Sequence, residues 1–131
     1  MTQLQDTVYI VDDDEPLCRA VCRLLRSAQY RVRTFASAEE FRQVDFRSLR
    51  GCLLLDIRLP GISGFELQEE LLAKGMRMPV IFITGHDHAG MEKRARAMGG
   101  RDYLRKPFDD KVLLEAIHAA MESRDEREAD Q

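Results

Sequence analysis

The sequence has no tryptophan, only four prolines and only three cysteines among its 131 residues. Cys18 and Cys22 are spaced one helical turn apart, but no second pair completes the four ligands of a zinc site. An odd number of thiols is typical of a reducing compartment, where cysteines remain free. No apolar run is long enough to cross a bilayer, and no apolar signal segment follows Met1. We therefore expect a cytoplasmic protein with structural thiols and no membrane partner.

A strong excess of one charge sign is also absent, since the formal net charge is only −3. DNA-binding modules usually carry a basic face, so we expect no direct nucleic-acid binding by this domain. Apolar residues make up 44% and charged residues 33% of the chain, which is typical of a globular protein. The length fits one domain. We expect residues 1–122 to form it and residues 123–131 to be a charged C-terminal tail.

Short aliphatic segments alternate with amphipathic segments of helical spacing along the chain. Five such alternations predict an α/β fold, in which a parallel sheet is covered by helices on both faces. The predicted strands are Val8–Val11, Val32–Phe35, Cys52–Leu55, Val80–Ile83 and Tyr103–Leu104.

The polarity of the predicted strands indicates their order in the sheet. Strands 1, 3 and 4 are almost wholly apolar, as interior strands are, whereas strands 2 and 5 carry charges and suit the edges. The order 2-1-3-4-5 satisfies this sorting and is that of a flavodoxin-like (βα)5 three-layer sandwich. Helix starts are indicated by Asp14 before the first helix, by a capping box from Ser37 to Glu40 before the second and by Asp109 before the fifth.

Polar residues follow the strands at the points where they end. Asp12 and Asp13 follow strand 1, Asp56 follows strand 3, Thr84 ends strand 4 and Lys106 follows strand 5. Because ligands of open α/β sheets bind outside the carboxyl ends of the strands, we expect these side chains to converge there. Neighbouring carboxylates repel each other unless a proton or a cation intervenes. The oxygen ligands favour Mg²⁺.

A lysine and a hydroxyl opposite the carboxylates favour a phosphoryl group as the ligand. Catalysis of phosphoryl transfer depends mainly on positive charge and donors around the phosphoryl oxygens. A carboxylate can itself attack phosphorus to form an acyl phosphate. Asp56 is the best placed nucleophile, because it lies between an apolar strand and the Pro60–Gly61 turn.

Four segments, VYIVDDDEP, LLLDIRLPGISG, VIFITGH and YLRKPF, resemble the signature segments of response regulator receiver domains of bacterial two-component systems. The resemblance covers residues 7–122 and is strongest to FixJ-like receivers. It implies that Asp56 accepts the phosphoryl group, with Asp12, Asp13, Asp56 and the backbone carbonyl of Arg58 holding Mg²⁺. It also implies that Thr84 and Lys106 contact the phosphoryl oxygens.

The resemblance carries further expectations about regulation and partners. Tyr103 resembles the aromatic switch residue that responds to Thr84, while Arg58 and His86 border the pocket and tune hydrolysis of the acyl phosphate. The expected partners are a sensor histidine kinase and a downstream effector protein or domain. A homodimer through the fourth helix, fifth strand and fifth helix is expected on phosphorylation. Catalysis is expected only of the domain's own phosphorylation and dephosphorylation.

Three other functions compete with a free-standing phosphorelay receiver. The chain could be the receiver half of a larger FixJ/LuxR-type transcriptional regulator. An aspartate-nucleophile phosphatase would need an acid two residues after Asp56, where this sequence has Arg58. A flavin-binding module would need a phosphate-cradling loop of Ser, Thr and Gly after strand 1, where this sequence has three aspartates.

Overall fold

A computed structural model describes the backbone of residues 6–129 and the side chains of residues 6–122. Five parallel strands form one sheet in the order β2-β1-β3-β4-β5, which confirms the predicted topology. The strands are β1 (Thr7–Val11), β2 (Arg31–Phe35), β3 (Gly51–Asp56), β4 (Val80–Thr84) and β5 (Gly100–Arg105).

Helices alternate with the strands, as the hydrophobic pattern predicts. They are α1 (Glu15–Ser27), α2 (Ala38–Phe41), α3 (Gly64–Ala73), α4 (Met91–Ala97) and α5 (Asp110–Ala129), with a 3₁₀ turn at Phe46–Ser48. The side chains of the predicted tail, residues 123–131, lie outside the described residues, so the boundary after residue 122 stays a prediction. Within the described residues, no helix is sufficiently long and apolar to traverse a lipid bilayer.

The sheet separates two hydrophobic clusters, which makes the molecule three layers thick. Successive side chains of a strand point to opposite faces, and β1 accordingly sends Val8 and Ile10 to one cluster and Tyr9 and Val11 to the other. The cluster around Val8 is completed by α1 and α5, and the other cluster by α2, α3 and α4. All of β1, β3 and β4 is buried, as expected for interior strands.

The predicted helix starts are confirmed at α1 and corrected at α2. The Asp14 side chain accepts a hydrogen bond from the Leu17 N–H at 3.2 Å and so caps α1. At α2, Ser37 accepts from the Glu40 N–H, but the Glu40 carboxylate accepts from the Ala36 N–H instead of from Ser37. The predicted capping box is therefore only half formed, because the carboxylate reaches one residue further back.

Candidate functional site

The acidic residues lie together because β1 and β3 are parallel neighbours that end at the same edge. Val11 of β1 pairs with Leu55 of β3, so the next residues of the two segments, Asp12 and Asp56, lie side by side. Carboxylate oxygens of Asp12, Asp13 and Asp56 lie within 4.8 Å of one another. Asp12 and Asp56 are only 2% and 4% exposed, whereas Asp13 is open to solvent. Three predicted site residues therefore form one cluster at the end of the sheet.

Lys106 supplies the positive charge opposite the carboxylates. Its backbone N–H donates to the Thr84 carbonyl at 2.8 Å, which fixes the residue just beyond the end of β5. Its Nζ lies 2.7 Å from Asp12 Oδ2 and 3.2 Å from Asp56 Oδ2. Burial acts to lower the Lys106 pKa, but Asp12 and Asp56 together outweigh burial and raise it. Lys106 is therefore held as an ammonium group shared by two carboxylates.

The Asp56 carboxyl group binds its proton unusually tightly. Burial, and then the charge of Asp12, raise its pKa from 3.8 to about 7, although Lys106 and the Arg58 N–H act in the opposite direction. The Arg58 N–H donates to Asp56 Oδ1 at 3.1 Å. One lysine thus fails to compensate two neighbouring buried carboxylates. A second cation would remove the remaining repulsion.

The donor atoms of this cluster fit a hard divalent cation. Asp12 Oδ1 accepts from the Asp14 N–H at 2.9 Å, whereas the buried Asp12 Oδ2 has an ion-pair contact with Lys106 but no well-aligned hydrogen bond. Buried carboxylate oxygens without a full set of donors are costly unless a proton or a metal satisfies them. All side-chain ligands offered are carboxylate oxygens, which Mg²⁺ prefers over nitrogen or sulfur.

A pocket of about 480 Å³ opens beside the cluster. Its lining residues are Asp13, Asp14, Asp56, Arg58, Leu59, Pro60, Gly85, His86 and Lys106. Arg58 and His86 therefore line the same pocket as Asp13 and Asp56 of the cluster. Thr84 is 1% exposed, and its Oγ1 accepts from the His86 N–H at 3.0 Å. The space is large enough for a phosphoryl group in contact with both acidic and basic side chains.

Tyr103 lies away from the pocket, buried at the cluster that α2, α3 and α4 complete. Its hydroxyl donates to Asp87 Oδ1, in the loop that follows β4. Arg105 lies over the Tyr103 ring, at 5.1 Å from its centroid, and its Nε donates to Asp87 Oδ2 at 2.6 Å. Tyr103 and Arg105 together lower the Asp87 pKa. No motif or spacing in the sequence indicates this role of Asp87, because the contact depends on the path of the loop after β4.

Comparisons with known proteins agree on one family. The profile of the response regulator receiver domain matches residues 8–118. Nodulation protein W of Bradyrhizobium diazoefficiens is 44% identical over 123 residues, which cover 93% of this chain and 54% of that protein. The transcriptional regulatory protein FixJ of Rhizobium meliloti is 38% identical over 124 residues, which cover 95% of this chain and 61% of that protein.

Solved structures give the same result. The crystal structure of FixJ-N superposes with a TM-score of 0.84 at 37% identity, covering 93% of this chain and 96% of that chain. The structure of response regulator StyR has a TM-score of 0.88 at 41% identity and covers 95% of this chain and 63% of that chain. The chain spans about half of the length of the curated relatives that it matches.

Proposed function

The chain belongs to the response regulator receiver domain family of two-component signalling, and from this premise we propose that Asp56 accepts a phosphoryl group from a sensor histidine kinase. The observation that supports Asp56 as the phosphoryl acceptor is its position between neighbouring carboxylates and the Lys106 ammonium group. It lies within 4.8 Å of two other carboxylates and 3.2 Å from the Lys106 amine, at the base of an open pocket.

Each residue around Asp56 has a separate role in the proposed reaction. In the proposed mechanism an Asp56 carboxylate oxygen forms the new bond to phosphorus while the bond to the donor breaks. The Lys106 ammonium pairs with the phosphoryl oxygens, and the Thr84 hydroxyl donates to one of them. Asp12, Asp13 and Asp56, with the Arg58 carbonyl, would hold Mg²⁺, whose charge neutralises carboxylate and phosphoryl oxygens. Only the ionised Asp56 is a nucleophile, so its raised pKa makes these positive charges necessary.

A phosphoryl group on Asp56 would change the surface made by α4, β5 and α5. It adds between one and two negative charges and draws Thr84 and Lys106 toward it. Tyr103 would follow Thr84, which requires its hydrogen bond to Asp87 to rearrange. A ligand that favours one of two arrangements shifts the population between them. The altered α4–β5–α5 face is the proposed site of homodimerisation, and Arg58 and His86 on the pocket wall would tune hydrolysis of the acyl phosphate.

The wider assignments rest on the family match and on the composition of the chain. We propose a receiver of residues 1–122 with a charged tail, residues 123–131, in a cytoplasmic protein without direct nucleic-acid binding by this domain. Its chemistry would be limited to its own phosphorylation and dephosphorylation, and its output would pass to an effector protein or domain. A second candidate is the receiver half of a larger FixJ/LuxR-type regulator, because several relatives named as transcriptional regulators are about twice as long.

Labelling with acetyl phosphate and Mg²⁺ tests the assignment. We expect intact mass spectrometry to show one added phosphoryl group on the unsubstituted protein and none on Asp56→Asn. Asp110→Asn is the matched control, because it makes the same chemical change at an exposed position in the first turn of α5. Stoichiometric labelling of Asp56→Asn at another residue would remove Asp56 from the proposed role.

A further inference from the structure

The loop between β3 and α3, residues 57–63, forms one wall of the pocket. Arg58, Leu59 and Pro60 line it. The Arg58 N–H donates to Asp56 Oδ1 at 3.1 Å, and the Arg58 carbonyl is the one backbone ligand in the proposed metal set. The conformation of this loop therefore determines both how the nucleophile is oriented and where one metal ligand lies.

Backbone hydrogen bonds fix only the two ends of this loop. The Ile57 N–H donates to the Ile83 carbonyl at 3.0 Å, and the Gly64 N–H donates to the Ile57 carbonyl at 2.8 Å. Near its C-terminal end, the Ile62 N–H donates to the Glu39 carboxylate at 3.2 Å. Glu39 belongs to α2, on a different segment of the chain, so this contact connects the loop to a second element.

Gly61 lies directly against the Glu39 carboxylate. A Cβ atom at Gly61 would lie 2.4 Å from Glu39 Oε2, so the carboxylate occupies the space beside the glycine Cα. Gly61 also has a φ of +76°, which glycine adopts without the steric cost that other residues meet. The Ile62 hydrogen bond and the space beside the Gly61 Cα thus both locate the Glu39 carboxylate against the loop.

The helix that presents Glu39 is anchored on both sides. Ala38 and Phe41, which flank Glu39, are buried in the hydrophobic cluster under the sheet. Arg42, directly after α2, forms an ion pair with Glu70 of α3 at 2.9 Å between Nε and Oε2. The Glu39 side chain therefore extends to the loop from a helix, α2, that is held by its buried residues and by an ion pair to α3.

We propose that Glu39 is a positioning residue for phosphoryl transfer. It holds the β3–α3 loop in the conformation in which the Arg58 N–H donates to Asp56 and the Arg58 carbonyl can bind the metal. The inference deepens the proposed function and rests on it. Glu39 acts as a hydrogen-bond acceptor, through Ile62, and is not one of the proposed ligands of the cation. An acceptor without charge should therefore replace it.

The test is calorimetric titration of Mg²⁺ into the unphosphorylated full chain. A hydrogen bond of this kind contributes about 0.5–1.5 kcal/mol, so Glu39→Ala should weaken Mg²⁺ binding by about two- to tenfold. Glu39→Gln keeps an oxygen acceptor and should stay within about twofold of the unsubstituted protein. Glu69→Ala is the matched control, because it removes an exposed carboxylate from the neighbouring helix α3.

A second readout reports the loop directly. The Ile62 amide should exchange its hydrogen faster in Glu39→Ala, by NMR, than in Glu39→Gln or Glu69→Ala. Equal Mg²⁺ affinity of Glu39→Ala and Glu69→Ala would overturn the inference, and so would a Glu39→Gln variant as weak as Glu39→Ala. Either of these two outcomes would leave the labelling of Asp56, and with it the proposed function, unaffected. Failure of the unsubstituted protein to bind Mg²⁺ or to be labelled would instead overturn the proposed function, and the inference with it.

Discussion

Replacing Asp56 by asparagine should stabilise the metal-free protein at and above neutral pH, although it removes an ion pair. Burial and the Asp12 charge raise the Asp56 pKa from 3.8 to about 7. Between these two values the folded protein keeps a proton that the unfolded chain releases, so stability falls as the pH rises from about 4 to about 7. Above that range the loss is complete and constant. An asparagine has no such proton, and the variant escapes the loss.

The expected gain follows from the opposing interactions at this site. One pKa unit corresponds to about 1.4 kcal/mol, so the shift sets an upper limit of about 4 kcal/mol. Carboxylate oxygens within 4.8 Å of one another repel by about 3 kcal/mol or more at an effective dielectric constant of about 20. Asparagine loses the Lys106 contact at 3.2 Å, and water in the open pocket screens the repulsion. We therefore expect a gain of about 1–3 kcal/mol at pH 8 and almost none at pH 4.

Urea denaturation in the presence of EDTA, at a series of pH values from 4 to 8, measures this difference. As the pH rises from 4 to 8, Asp56→Asn should become progressively more stable than the unsubstituted protein. Asp110→Asn makes the same chemical change at an exposed position, so its stability should differ from that of the unsubstituted protein by much less than the gain expected of Asp56→Asn. A variant less stable than the parent at pH 8, or a gain equally large at pH 4, would refute the electrostatic reasoning.

Two further predictions concern the same corner of the molecule. Mg²⁺ affinity should rise with pH up to about 7 and then flatten, because the metal binds the ionised Asp56, and calorimetric titration at several pH values should show no such rise in Asp56→Asn. Gly64→Ala should lower the free energy of unfolding by about 2 kcal/mol or more, measured by urea denaturation, because the added Cβ would lie 2.2 Å from the Asp56 carbonyl oxygen.

The order of the strands was predictable because apolar strands lie inside the sheet and charged strands lie at its edges. Strands β1 and β3 are apolar in sequence and fully buried in the structure, whereas β2 carries exposed arginines at the edge. The extent of α2 was not predictable from helical spacing. The helix has only four residues, because the chain turns after the buried Phe41 and forms a 3₁₀ turn that Asp45 caps. Such an early end depends on where the next strand must begin.

The central site was predictable for a related reason. The acidic residues and Lys106 lie at strand ends, and parallel strands bring their carboxyl ends to one edge whatever the intervening helices contain. Glu39 and Asp87 lie outside this rule. Glu39 meets Ile62 across 23 positions of sequence and Asp87 meets Tyr103 across 16, through loops whose paths follow from packing. No periodic pattern in the chain marks such contacts.

The protein's own side chains compensate the buried carboxylates of the proposed phosphorylation site only in part. Lys106 must serve two buried carboxylates at 2.7 and 3.2 Å, and Asp12 Oδ2 still has no well-aligned hydrogen bond. A better compensated cluster would make the metal-free protein more stable, but it would gain less from a cation. This residual repulsion is what a bound Mg²⁺ would relieve, so it contributes to the affinity of the site for the cation. The stability that Asp56→Asn recovers is therefore a measure of the repulsion that a bound Mg²⁺ would relieve.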